Sequence, residues 1–330
     1  MTAITVLAGG VGGARFTRGL LHHVRASDPA ATITVVANTG DDLWLAGLRV
    51  CPDLDSIMYT LGGANDDERG WGRVGESERV SAELTAYGVG WPWFTLGDLD
   101  LGTHIARSAW LRDGVPLSEV TARLASRWDL GVRLLPATDD EVETIVTVAA
   151  DDGGGTEDMH FEEWWVRFRA GRPALAFAQR IVTAASPAPG VLEAIVDADV
   201  VVFAPSNPVV SISTVLGIPG IADAVRTTSA PVVAISPIIG GAVVRGMADA
   251  CLTAIGVETS AVAVARHYGA RSAGGLIDAW LVDAVDGDAV ASLEEDGIRS
   301  AARPLWFSSV EETAAIAAAA IELATTARPS

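Results

Sequence analysis

Four glycines fall within residues 9–13, and they constrain this chain more than any other feature. The stretch Ile4-Thr5-Val6-Leu7-Ala8 runs β-branched and aliphatic without polar alternation, as a strand covered on both faces of a parallel sheet does. Gly9-Gly10-Val11-Gly12-Gly13 then lets the backbone turn tightly, and a helix is expected from roughly Gly13 to Val24. A helix N-terminus with bare backbone N–H groups is an anion site, usually for phosphate. Two familiar versions of that site fail here. The dinucleotide fingerprint needs a third small residue where this chain has Arg15, and an acid at the end of the second strand, where it has Asn38. The P-loop needs a lysine, and the chain contains none.

The absence of lysine also closes off Schiff-base chemistry, and with high Ala, Arg and Gly it suits a GC-rich bacterial genome. A formal net charge of -19 argues against nucleic acid or an anionic membrane as a partner. An anionic nucleotide bound by such a chain calls for a divalent cation to neutralise the local field. Only Cys51 and Cys251 could form a disulfide. The N-terminus enters a strand at once, leaving no room for a secretory signal, and no apolar run is long enough to span a membrane; a cytoplasmic protein is expected.

With 330 residues, 49% of them hydrophobic, the chain can bury a large core. Apolar strands are expected at Thr5–Ala8, Ile33–Ala37, Val200–Ala204, Val232–Ile235, Leu276–Val282 and near Leu305–Phe307, with helices between them. That alternation predicts an α/β fold with a doubly wound, mostly parallel sheet. Between Asp53 and about Gln179 the rhythm changes to helical patterns at Gly102–Asp113 and Leu117–Trp128, then strands at Thr144–Ala149 and Ala174–Ile181 around a loop at Asp151–Gly155. This reads as a smaller α/β subdomain, about 53–179, inserted into a core of about 1–52 and 180–330 within one domain. An Ala-rich helix at Val310–Thr325 closes the chain.

Three stretches place polar chemistry at strand ends, where open α/β sheets bind ligands. Asn38-Thr39-Gly40-Asp41-Asp42 and Asp53-Leu54-Asp55 gather four carboxylates, which are costly together unless solvated or shared with a cation. Oxygen-only ligands suit Mg²⁺. The alternative is an Asx turn at Asp41 and Asp42 and a helix cap at Asp53 or Asp55. Pro205-Ser206-Asn207-Pro208 with Ser211 offers short hydrogen-bonding side chains for a nucleotide, or a plain structured turn. Ser236-Pro237-Ile238-Ile239-Gly240-Gly241 repeats the logic of the first glycine turn, with a helix expected after Gly246. Leu96-Gly97-Asp98 leads to His104 and Arg107, and His160-Phe161-Glu162-Glu163-Trp164-Trp165 sets aromatics beside carboxylates. Trp44, Trp71, Trp91, Trp93, Trp164 and Trp165 fit either a core or a platform for a flat heterocycle.

Taken in order, the glycine turn, the Asn38–Asp42 and Pro52–Asp55 stretches, Leu96-Gly97-Asp98, Pro205–Pro208 and Ser236–Gly240 resemble the CofD family over most of the chain. The resemblance implies a Rossmann-like core, a homodimer and a transferase of coenzyme F420 biosynthesis. The acceptor would be the deazaflavin Fo. The donor would be a guanosine diphosphate ester of enolpyruvate, used with Mg²⁺ and releasing GMP; the lactyl ester is the alternative donor. The family's Fo-binding aspartate falls on Asp55, expected also to take the hydroxyl proton. Gly10, Gly12, Gly13, Asn38, Thr39, Asp53, Ser206, Asn207, Pro208, Ser211, Gly240 and Gly241 are the expected substrate contacts, and Asp41, Asp42 and Asp53 the expected metal ligands. A related gluconeogenesis-factor type of protein, binding a nucleotide-sugar without catalysis, is the rival expectation.

Overall fold

Short runs rich in Val, Ile and Ala build a parallel sheet of seven strands, because branched side chains fill both faces of a pleated surface that helices cover. A computed structural model describes residues 2–326 apart from Asp152 and Ile181. Those two positions, in the expected 151–155 loop and at the end of the expected 174–181 strand, lie outside the described residues. The main-sheet strands are β1 (Ala3–Ala8), β2 (Thr32–Ala37), β3 (Arg133–Pro136), β4 (Val200–Phe203), β5 (Val232–Ile235), β6 (Ala279–Val282) and β7 (Arg299–Ala302). Their spatial order is β3-β2-β1-β4-β5-β6-β7 and every neighbouring pair is parallel. The winding reverses between β1 and β4, which pair from Ile4 with Val200 to Leu7 with Phe203. Their C-terminal ends therefore open the crevice in which doubly wound sheets bind ligands.

Each sheet face has its own core. Ile4, Val6 and Ala8 of β1 pack with Phe16 and Leu20 of the Gly10–Ser27 helix and Ala317 of the Val310–Thr325 helix. Leu7 points the other way, to Val36, Val201 and Phe203 and the helices Val191–Val196 and Ala261–Tyr268. The first and last helices approach so closely that a Cβ at Gly19 would fall 2.5 Å from Thr313 Cγ2. Small side chains at Ala314, Ala317, Ala320 and Ala324 make that approach possible. The helix begins at Ser309, whose side chain accepts from Glu312 N–H.

Residues 137–188 add an antiparallel sheet, Thr156–His160, Glu143–Ala149 and Ala174–Arg180 in that order, whose Val146 and Val148 join the second core. Among the described residues no single helix is long and apolar enough to cross a membrane.

Three expectations are corrected. A strand within the 53–179 span, β3, extends the main sheet beside β2; its short Arg-Leu-Leu-Pro sequence carries little strand signal. Leu305–Phe307 is not a strand. The ladder ends at Arg303 N–H on Val282 C=O, Pro304 brings no N–H donor, and the Asp283 carboxylate accepts from Leu305 N–H at 2.7 Å, turning the chain across the sheet end. The seventh strand lies earlier, at Arg299–Ala302. Gly240-Gly241 does not lead into a helix; with φ of +57° and +76° it turns a two-residue hairpin between Ile238–Ile239 and Ala242–Val243. The next helix starts at Ala248.

Candidate active site

A cleft of about 900 Å³ opens at the switch point between β1 and β4. Its floor is the glycine turn. Ser206 Oγ latches the two strand ends, accepting from Gly9 N–H at 3.0 Å and donating to Gly9 C=O at 2.8 Å. Two of the glycines are needed for close packing whether or not a ligand binds. A Cβ at Gly13 would meet Ala8 Cβ at 2.8 Å and Ser206 Oγ at 2.9 Å, and one at Gly12 would meet Pro205 C=O at 2.9 Å. Gly10 and Gly12 line the cleft, whereas Gly13 is buried behind them.

The helix N-terminus already has an anion. Gly10 N–H bonds the Asp53 carboxylate, and Asn38 Nδ2 donates to Asp53 Oδ2 at 2.9 Å and to Asp41 Oδ2 at 3.0 Å. One amide thus holds two carboxylates together at the cleft wall. Asn38 and Thr39 are themselves buried, Asn38 closing an Asx turn on Gly40 N–H. Glu162, from the far end of the antiparallel sheet, completes the group. Burial first, then the charges of Asp53 and Asp42, push its carboxyl up to about 8. Burial likewise raises Asp53 to about 6 against its hydrogen bonds, and raises Asp41 well above the carboxylate range together with its acidic neighbours. Asp41 Oδ1 and both oxygens of Asp42 are buried without hydrogen-bond partners. Of these only Asp41 lines the cleft, and its orphaned carboxylate oxygen there fits a hard divalent cation such as Mg²⁺.

The four clustered aspartates separate into distinct settings. Asp42 faces Arg49 (Oδ2–Nη2 3.8 Å) and does not line the cleft; burial pushes it up to about 7 although Arg49 opposes this. Asp55 lies in the cleft wall but gives both oxygens to Arg107, one at 3.0 Å to Nη1 and the other to Nη2. His104 Nδ1 lies 3.0 Å from the same Nη1, and its Nε2 lies 3.2 Å from Asp100 Oδ1, which accepts from Tyr59 OH at 2.6 Å. Asp55, Asp100 and His104 lie close enough to share a cation, but the Arg107 guanidinium already supplies the positive charge there. Burial alone would lower the Arg107 pKa, but Asp55 and the other groups around it together raise it and keep the guanidinium charged.

The other expected contacts divide in the same way. Ser206, Asn207 and Ser211 line the cleft, with Asn207 Oδ1 also capping the wide turn Pro208–Ile212 through Val209 and Val210 N–H. Pro208 is buried, and Gly240 and Gly241 sit on the exposed hairpin tip outside the lining. Their neighbours Ser236, Pro237 and Ile239 reach the cleft instead. The lining is also aromatic, with Trp71, Trp93, Phe94, Trp165, Trp306 and Phe307. Trp164 is core and Trp44 is exposed on a hairpin, bonding Glu141 at 3.0 Å. Trp91 and Trp93 stack at 4.6 Å. Glu162 lies in the His160–Trp165 stretch that stands out in the sequence but is not among the expected site residues, and Trp306 carries no local signal; both reach the cleft from segments that meet only in the fold.

The family described as 2-phospho-L-lactate transferase CofD matches residues 4–306. Among curated relatives, a phosphoenolpyruvate transferase of Thermobifida fusca is 58% identical over 325 residues, covering 97% of each chain. Another of that description, from Streptomyces griseus, is 56% identical over 321 residues, covering 97% of this chain and 98% of its own. A third, from a Mycobacterium species (strain JLS), is 51% identical over 330 residues with the same shares. The crystal structure of protein BH3568 from Bacillus halodurans shares the fold, at a TM-score of 0.61 and 18% identity over 97% of this chain and 99% of its own. A strand order that places a glycine turn, an acidic cluster and an aromatic wall around one cleft is thus the setting of a known enzyme family, and this chain belongs to the CofD family of transferases.

Proposed function

We infer that the cleft transfers a phosphoenolpyruvyl group from a guanosine diphosphate ester of enolpyruvate to the deazaflavin Fo, giving dehydro-F420-0 and GMP. The observation that carries this reading is the pairing, in one cleft, of an acidic cluster that includes an unfilled Asp41 oxygen with a set of aromatic rings. The relatives described as phosphoenolpyruvate transferases favour enolpyruvate over lactate as the group moved.

The terminal ribityl hydroxyl of Fo attacks the phosphorus bearing the enolpyruvyl group, the bond from that phosphorus to the bridging oxygen breaks, and GMP leaves. Such a displacement needs alignment and charge neutralisation more than covalent help. Asp41 and Asp53, joined on Asn38, are the residues that would hold Mg²⁺, with Asp42 behind them. Bound there, the cation supplies charge neutralisation at phosphoryl oxygens. Asp55 orients the attacking hydroxyl. Its role as proton acceptor passes to another group, because both of its oxygens already accept hydrogen bonds from Arg107. Glu162 is better poised: it lines the cleft, and its carboxyl, at about 8, lies near the working pH. The Trp wall stacks the tricyclic ring and excludes water. Two copies of the chain are expected to associate, giving a sedimentation mass near twice 34.2 kDa.

Titration of the protein with Fo, following Fo fluorescence, tests the reading. Saturable binding strengthened by GDP and Mg²⁺ is expected. Nucleotide binding without any Fo binding would leave a nucleotide-binding regulator instead.

A further inference from the structure

Two arginines face this cleft without a carboxylate partner among the described residues. Arg15 projects from the first helix beside the glycine turn, and its Nε is buried with no hydrogen bond. Arg245 comes from the segment after the Ile238–Val243 hairpin, and its guanidinium packs on the Gly70 backbone of the facing loop. Neither joins an ion pair, although acidic residues outnumber basic ones, 42 to 23. Among the described residues, the only other cation-forming side chain on the cleft lining is His104.

Placing two guanidinium groups around one space is unfavourable on its own, and burial and the nearby Arg15 charge both lower the Arg245 pKa. An oxyanion between them removes the repulsion and matches the planar donor fork of each group. The acidic cluster cannot do this work, because without a cation it repels the same ligand. The long-range field of a chain at net charge -19 repels it too.

We propose that Arg15 and Arg245, which line the same cleft, form a clamp for an oxyanion of the donor. This rests on the transferase reading above for the identity of the donor, which carries oxyanions of two kinds, a diphosphate and the carboxylate of the three-carbon acid. Arg245 is exposed, so its replacement leaves the core untouched.

The test compares wild type with Arg15→Gln, Arg245→Gln and Arg245→Lys. GDP binding with Mg²⁺ is measured by calorimetry, and the donor KM by transfer to Fo. If the diphosphate is the clamped group, each Gln variant loses about tenfold or more in GDP affinity, and Arg245→Lys loses less. If it is the carboxylate, GDP affinity is kept while the donor KM rises about tenfold with little change in kcat. Values within twofold of wild type for both GDP affinity and donor KM would overturn the clamp. Wild type that makes no product from Fo, with variants that still lose GDP affinity, would sink the transferase reading and leave the clamp standing.

Discussion

At the scale of single residues, the site turns on how burial and pairing divide five carboxylates. Asp55 and Glu162 both line the cleft, but one is fixed on a guanidinium and the other has no hydrogen bond opposing its raised pKa. Glu162→Gln should therefore lower kcat by roughly 10²-fold or more while GDP binding stays close to wild type. It should also remove the acidic limb of the pH–rate profile, whose midpoint in the loaded enzyme lies below 8 because a nearby cation favours the carboxylate. An unchanged limb would return the proton to Asp55. Asp55→Asn should raise the KM for Fo and weaken the fold together, because it leaves the buried Arg107 half-paired at a cost of about 3–5 kcal/mol. From the sequence, Asp41, Asp53 and Asp55 were legible as a group because they follow a strand in a tight span. Their division was not, since Arg107 and Asn38 decide it, and Arg107 reaches Asp55 from a different helix.

At the scale of elements, strand and helix existence followed from apolar runs and caps. The closing helix occupies the expected Val310–Thr325, bounded by the Ser309 cap. What failed were segments whose state is set by a distant partner. The Arg-Leu-Leu-Pro strand is held by pairing with β2, and Leu305–Phe307 is pulled off the sheet by Asp283. Glycines show the same contrast between local and tertiary control. Gly13→Ala should destabilise by roughly 1–3 kcal/mol, because the new methyl has no room between Ala8 and Ser206. Gly102→Ala, exposed within the Asp98–Arg112 helix with nothing near its Cβ, should stabilise by about 0.5–1 kcal/mol. Urea denaturation of the two variants measures both, and equal shifts would mean that the switch-point helix is not packed as tightly as described.

At the scale of the whole molecule, the acidic cluster ties stability to pH and, on the proposed reading, to metal. Folded-state pKa values of about 6 for Asp53, about 7 for Asp42 and about 8 for Glu162 all lie above the unfolded values near 4. Between these limits these three groups bind more protons in the folded chain than in the unfolded one, so their contribution to stability falls as pH rises from about 4 through about 8, against an opposite contribution from His160, whose pKa burial lowers to about 4. Mg²⁺ should reverse this by binding the ionised cluster. Thermal unfolding with Mg²⁺ and with a chelator should show a metal-dependent rise in Tm that is larger at pH 8 than at pH 6. A rise independent of pH would place the metal elsewhere. Doubly wound topology then explains why one cleft can join all the parts: the chains leaving β1 and β4 turn to opposite faces of the sheet there, and the glycine turn, the Asn38 turn and the Pro205–Ser211 turn leave neighbouring strand ends. The measurement that tests the central claim most directly is product analysis by mass after incubating the protein with Fo, Mg²⁺ and the enolpyruvyl or lactyl donor. Dehydro-F420-0 and GMP from the enolpyruvyl donor are the predicted result; Fo left unchanged with both donors would contradict it.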